Sequence, residues 1–494
     1  MATRREWIGL AVIALPCLLY AMDLTVLTLA VPALTADLRP SATELLWIVD
    51  IYGFLVAGFL ITMGTLGDRI GRRRLLLGGA AAFGAASVLA AFASSPEMLI
   101  ASRALLGIAG ATLAPSTLSL IRSMFHDDRQ RTVAIGIWVT SFSAGAAIGP
   151  LVGGLMLEQF WWGSVFLLAV PVMVLLLVVG PRLLPEYRDP QPGRLDLVSA
   201  GLSLVAVLCV IYGVKSFASD GASWAALGPV AAGVLAASAF VQRQRRLDEP
   251  MIDLGLFRKR AFSAALGANT LGFAVVFGLE IFVAQYLQLV LGYSPLAAGA
   301  WSVPPAAAFV VGSQLTAPLT DRFRSATVML VGLLVSLAGI AVLTQVGPSS
   351  DPAVVVGGAV VMSLGLAPLF TLAADLAVGS APPERAGAAS GISETSSELG
   401  GALGVAILGT VGTAVYRDSV DGPDTLGGAV EAAQRAPAAM RADLLEPARE
   451  AFTQGFQVAA TLSGAIIAAA TILVAAGLWR PGRRQPAVVA IEPC

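Results

Sequence analysis

Charge is the first thing this sequence is short of. Only 13% of its 494 residues are Asp, Glu, Lys or Arg, where a soluble domain carries about a quarter. At that density a chain of this length does not make a set of soluble domains. Histidine is nearly absent: His126 is the only one, and it lies in a charged stretch. That removes most zinc, triad and imidazole-relay chemistry. Cysteine is scarce and scattered, at Cys17, Cys209 and Cys494, so neither a metal site nor a disulfide framework is encoded. A net charge of -1 gives no basic excess for nucleic acid. Neither a nucleotide-binding loop nor a nucleophile elbow occurs, which argues against ATP-driven transport and against a membrane-embedded enzyme. No appended soluble domain, as a sensor would need, is expected. No cofactor and no metal are expected.

What the chain has instead is apolar length. Hydrophobic residues make up 56% of it, in runs of the roughly twenty residues that a bilayer core demands. Fourteen candidate spans follow: roughly 7–31, 44–66, 75–93, 97–121, 132–156, 160–181, 195–217, 224–241, 261–291, 295–318, 326–346, 353–378, 388–415 and 453–478. The first could mimic a signal peptide, with Arg4 and Arg5 before an apolar run. The run continues to about Pro32 and many others follow, so it reads as a membrane helix. The expected fold is an all-α integral membrane protein.

Placing both termini in the cytoplasm puts the arginine clusters on one side. Arg69 and Arg72–Arg74, Arg129 and Arg131, Arg194, Arg243–Arg246 without Gln244, and Arg258–Arg260 with Lys259 then lie inside. So do Arg480, Arg483 and Arg484, while the short outer loops hold only Arg39 and Lys215. This is the positive-inside pattern. One outer connection, about 416–452, is long and polar, with a short surface helix expected over Asp443–Glu450.

The chain also repeats itself. Gly145 and Gly149 recur as Gly400 and Gly404 about 255 residues later, and Asp68-Arg69 recurs as Asp321-Arg322 about 253 later. The organisation read from this is a six-helix half over 1–181, a linker with two extra helices over 182–260, and a second six-helix half over 261–494. Parallel repeats of this kind place a transport site between the halves. Chance similarity in an alanine- and glycine-rich chain is the plainer alternative.

Three motifs carry chemistry. The first inner loop reads Gly64-Thr65-Leu66-Gly67-Asp68-Arg69-Ile70-Gly71-Arg72-Arg73-Arg74; its glycines allow a tight turn and close helix approach, and Asp68 can cap or pair across the inner seam. Arg103 lies inside the fourth span, where a buried arginine is costly and functional by default, although snorkelling to the outer end is open to it. The fifth span carries Gly145, Gly149, Pro150, Gly153 and Gly154, a small-residue surface for helix contact with a bend at the proline. Together these resemble the major facilitator superfamily. The resemblance implies that Gly64, Gly67, Asp68, Arg69, Gly71 and Arg72 form a cytoplasmic gate, that Arg103 couples to protons, and that the fifth-span glycines form the motif that separates antiporters from importers.

Acids inside the spans narrow the reading. Asp23, Asp50, Glu280, Glu394 and Glu398 all fall within predicted helices, the last two on one face. A carboxyl group in hydrocarbon holds its proton until a cation approaches, so protons and cationic ligands can compete for one group. Each acid also reads as a structural partner, to Arg103 or to a neighbouring helix. Asp375 reads as a helix-end charge. Asp23 with Thr25 and Pro32, Trp47 to Tyr52, Gln285-Tyr286-Leu287-Gln288 and Glu394 to Gly404 resemble the fourteen-helix drug:proton antiporters, and within them the quaternary-ammonium and dye exporters of the QacA, SmvA and LfrA branch. That resemblance implies Asp23 as principal proton and cation site supported by Glu394 and Glu398. It further implies lipophilic cations, protons and membrane lipids as partners, a monomer, and a bacterial plasma membrane location. Two departures stand out. Gly312-Ser313-Gln314 lacks the extra acid of some branch members, and the second-half signature loop is degenerate at Thr316–Arg322. Phe277, Phe282, Tyr286, Phe309 and Trp138 are candidates for an aromatic wall. Export of a self-made antibiotic or a lipid is the alternative function.

Overall fold

A computed structural model describes residues 2–40, 42–188, 196–220, 224–247, 250–382, 385–420, 425–435, 437 and 441–478. Arg194, Arg480, Arg483, Arg484 and Cys494 lie outside the described residues. Among those described, all regular structure is helical. The chain runs through α1 (Arg4–Leu38), α2 (Ala42–Ile70), α3 (Arg72–Ala91), α4 (Pro96–Gly110), α5 (Leu113–Met124) and α6 (Asp128–Gln159). It continues through α7 (Ser164–Leu167), α8 (Ala169–Leu183), α9 (Leu197–Asp220), α10 (Trp224–Gln244) and α11 (Arg260–Gln285), which ends in a π turn over Tyr286–Val290. Then come α12 (Pro295–Arg322), α13 (Ser325–Leu343), α14 (Pro352–Ser380), α15 (Ala386–Ser419), α16 (Leu426–Arg435) and α17 (Arg441–Leu478).

Eleven helical segments are long and apolar enough to cross a membrane. The other three predicted spans fall on α6, α10 and α12, of 32, 21 and 28 residues, each at least the length of a bilayer core at about 1.5 Å per residue. Apolar residues surround these helices on all sides: α8 buries Met173 and Leu176 and exposes Val174, Leu175 and Val178. That is the signature of a helix with protein on one face and lipid on the other.

Proline explains where single spans break. Pro115 has no N–H to give the Ala111 carbonyl, and the fourth span is split between α4 and α5 at that point. Pro171 does the same to the Leu167 carbonyl between α7 and α8. Proline also starts helices cleanly. Ser95, Ser294 and Asp351 each precede a proline and each accepts a hydrogen bond from a first-turn N–H.

Two expectations from the sequence need correction. The glycine motif does not form a long loop: Gly64 and Gly67 sit inside α2, and Gly71 alone makes the turn, at a φ of 110° that suits glycine. Residues 443–450 are not a separate surface helix either. They open α17, because Ala448, Ala451 and Phe452 continue its buried face.

Two large hydrophobic cores form, one of residues from Leu10 to Leu184 joined by Ala374, Val378 and Ala386, and one from Ala268 to Val474. Their helix pairs match. In the first, α6 lies on α1, and a methyl group added at Gly145 would fall on the Leu18 carbonyl oxygen. In the second, α15 lies on α11, with Gly400 against the Thr270 carbonyl and Gly404 against that of Ala274. Gly404→Ala should therefore lower the melting temperature of the purified protein by several degrees, at an overpacking cost of about 1–3 kcal/mol. Gly409→Ala, with no atom near the added methyl, should leave it unchanged; equal melting of the two variants would count against this packing.

The two helices between the halves pack on each other, and α9 lies against both α2 and α15. Val207 and Leu208 of α9 join Phe54 and Ala57 of α2 and Leu399 and Ala402 of α15 in one small cluster. The hairpin is tied by Arg243 donating to Asp196 at 2.8 and 3.0 Å. That bonding holds the Asp196 carboxyl well below its usual value, with help from Ser199. The tie is present at neutral pH and is lost only as pH falls through that depressed value.

Candidate functional site

The polar centre is built around Arg103, which α4 carries into the first core at 1% exposure. Its Nη1 donates to Asp23 Oδ2 on α1 at 2.6 Å. Its Nε donates to the Ile48 carbonyl at 3.0 Å and its Nη2 to that of Val49 at 3.4 Å, both on α2. The guanidinium also stacks over the Tyr52 ring, 4.8 Å from the centroid. Snorkelling is therefore not what Arg103 does. It ties three helices together and satisfies the costly charge with one carboxylate, two carbonyls and an aromatic face.

The network continues toward the second half. The Tyr20 ring lies 5.9 Å from that of Tyr52, and Tyr20 Oη donates to Glu398 Oε1 on α15 at 2.9 Å. Glu394 lies one turn before Glu398 within electrostatic range of it. Among the described residues Glu394 has no hydrogen-bond or ion-pair partner. Asp50 is half-buried on α2, directly after Ile48 and Val49 in the chain. Glu280 is exposed on α11.

The aromatic candidates divide. Trp138 is buried, donates to Thr117 Oγ1 at 2.9 Å and meets Phe142 edge-on. Phe282 stacks on Phe456, and Tyr286 is fully buried with its hydroxyl on the Gly347 carbonyl. These three are packing residues. Phe277 is open and Phe309 half-buried.

At the end of the bundle that carries the α2–α3 turn, here the loop end, the signature residues join the two halves. Asp68 Oδ1 accepts the Gly387 N–H and Oδ2 that of Ala388, each at 2.9 Å. These belong to the first turn of α15, where backbone donors lack helical partners and the helix dipole favours an anion. Arg72 pairs with Asp68 at 3.0 Å and donates to Ser123 Oγ at 2.8 Å. Gly64 and Gly387 face each other so closely that a methyl on either would meet the other's carbonyl oxygen. Arg69 is half-buried beside them. Glu186 and Tyr187, absent from the sequence reading, hold the turn from behind: Tyr187 stacks on Arg72 at 4.7 Å and Glu186 pairs with Arg73 at 3.5 Å. On α6, Gly145, Gly149 and Gly153 are buried, Gly153 against Val26 of α1, while Gly154 meets no neighbour. Pro150 lies in the same helix.

The Major Facilitator Superfamily profile matches residues 13–405. The chain belongs to this superfamily. Three similar proteins carry names. The multidrug efflux pump LfrA of Mycolicibacterium smegmatis is 45% identical, covering 96% of this chain and 97% of its own. The methyl viologen resistance protein SmvA of Salmonella typhimurium is 33% identical, over 96% and 98%. The tetracenomycin C resistance and export protein of Streptomyces glaucescens is 32% identical, over 98% and 94%. The crystal structure of the human organic anion transporter TETRAN superposes with a TM-score of 0.60 at 15% identity, covering 94% of this chain and all of that one. The chain is thus a multi-pass membrane protein whose superfamily relatives are multidrug efflux pumps and antibiotic exporters.

Two loop-end ion pairs of this superfamily member escaped the sequence reading. Asp375 on α14 is no mere helix-end charge: it accepts from Arg131 Nε at 2.7 Å and from Thr132 Oγ1 at 3.1 Å, both on α6. Asp321, in the degenerate second signature loop, pairs with Arg129 at 2.7 Å. Deeper in, Ser313 donates to the Gly136 carbonyl at 3.1 Å and Gln314 to Thr140 at 3.2 Å. These bridges all lie between the loop end and the level of Glu398, so the halves are closed there. Reversing the pair as Arg131→Asp with Asp375→Arg should restore much of the transport lost in either single variant. Two single variants as active as wild type would show the bridge to be incidental.

Proposed function

We propose that this protein exports lipophilic cations in exchange for protons across the bacterial plasma membrane, with both termini in the cytoplasm. The observation that carries the reading is the chain of contacts from Arg103 and Asp23, through the rings of Tyr52 and Tyr20, to Glu398 with Glu394 one turn away. It begins inside one half and ends on the seam with the other. Asp23 is held by a cation, Glu398 by a hydroxyl from the opposite half, and Glu394 by no partner among the described residues. Acids in such unlike settings can exchange protons for a cation in sequence. Rocking of the halves then breaks the Tyr20–Glu398 bond and the loop-end bridges, and exposes the acids to each side in turn. The name of SmvA, a methyl viologen resistance protein, supports the cationic substrate class, and that of LfrA, a multidrug efflux pump, supports export.

The test is ethidium transport in proteoliposomes under an imposed pH gradient. Wild type should transport only while the gradient stands, and a protonophore should stop it. The double variant Glu394→Gln, Glu398→Gln should lose at least about tenfold of the rate, the scale of one lost charge-assisted contact. Transport of a neutral aromatic compound that survives in this variant would instead favour antibiotic export, the activity named for the Streptomyces glaucescens relative.

A further inference from the structure

On the second half, four phenyl rings form a row across three helices. Phe309 of α12 lies 5.8 Å from Phe370 of α14, Phe370 lies 4.3 Å from Phe273 of α11, and Phe273 stacks on Phe277 at 6.0 Å. The row is closed at Phe370, 4% exposed, and open at Phe277, 43% exposed. Phe277 rests on Gly401 of α15, one turn beyond Glu398. Glu280 follows Phe277 by three residues and shares its helix face.

Glu280 is exposed within the α11 span, and an ionisable residue at membrane depth faces the bundle interior or a water-filled cavity rather than lipid. Among the described residues it has no hydrogen-bond or ion-pair partner. The repeat fixes its depth. Leu18 and Val26 of α1 meet Gly145 and Gly153, as Thr270 and Gly278 of α11 meet Gly400 and Leu408. In that register Glu280 corresponds to Thr28, five residues past Asp23 and about 7.5 Å farther from the loop end.

We propose that Phe277 and Glu280 form an outer binding site for flat aromatic monocations, separate from Asp23 and from Glu394 and Glu398. The ring offers its face to a delocalised cation, as cation–π contacts require, and the single carboxylate balances one charge. A cation leaving Glu398 passes over Phe277 to reach Glu280, so the site is the last stop before release. Its release role rests on the export reading, whereas its binding chemistry does not.

Ethidium binding to the purified full-length protein in detergent, followed by fluorescence anisotropy, tests this without a gradient. Phe277→Leu and Glu280→Gln should each weaken binding about tenfold, and Glu280→Asp should stay within about threefold of wild type. Melting curves matched to wild type exclude misfolding, and Glu280→Asp separates charge from shape. Unchanged affinity in Phe277→Leu and Glu280→Gln, or no binding to wild type, overturns the site. If vesicles show no gradient-driven transport while the titration behaves as stated, the site stands and only its place in export falls.

Discussion

Asp23→Asn should cut pH-gradient-driven ethidium transport by at least about a hundredfold while leaving the protein folded. The substitution is isosteric, so the amide oxygen that replaces the carboxylate can still accept from Arg103. The guanidinium also keeps its bonds to the Ile48 and Val49 carbonyls and its place over Tyr52. What is lost is the negative charge, in a site where breaking a buried pair costs about 3–5 kcal/mol. That loss falls on the coupling cycle because only a group that gains and loses a proton can alternate between holding Arg103 and releasing it. Initial rates in proteoliposomes, with circular dichroism to confirm the fold, decide it. Full activity in Asp23→Asn would move the coupling site to Glu394 and Glu398.

The parts of this molecule that hydropathy and local motif govern were legible in the sequence. Each predicted span lands on a helix because a bilayer demands about twenty apolar residues whatever their partners are. Asp68 and Arg103 stood out because charge in an apolar run needs a reason. Partners were not legible. Tyr20 and Glu398 are 378 residues apart, and Arg131 and Asp375 are 244 apart, so no local pattern links them. Asp375 looked ordinary because a helix-end carboxylate commonly is. Tyr20 gave a faint signal, as a hydroxyl in an otherwise apolar run three residues before Asp23. The aromatic wall was overread for the opposite reason: Phe282, Tyr286 and Trp138 fit a ligand site and a packed core equally well, and burial put them in the core.

Asp68→Asn should open the loop end. The carboxylate takes two backbone N–H groups from the first turn of α15, one on each oxygen, and Arg72 on the same side as Gly387. An amide can satisfy one of those donors, but its NH2 then faces the other N–H, donor against donor. The helix dipole loses its counter-charge at the same time. One lost charge-assisted bond is worth about 1.5–3 kcal/mol, which shifts a two-state equilibrium by about ten- to a hundredfold. Gly64 and Gly387 make the seam sensitive in this way: with backbone on backbone and no side chain between them, no flexible group can fill a small gap. Spin labels at Arg74→Cys and Arg322→Cys, both at exposed loop-end positions on opposite halves, with the natural cysteines replaced by serine, report the separation directly. The expected result is a population several ångströms longer in Asp68→Asn, together with a loss of transport of at least about tenfold. Binding of ethidium at Glu280 should fall with it, because closing the far end to complete the opposite state takes that site out of contact with solvent. An unchanged distance distribution with lost transport would mean that Asp68 acts on the proton path and not on the seam.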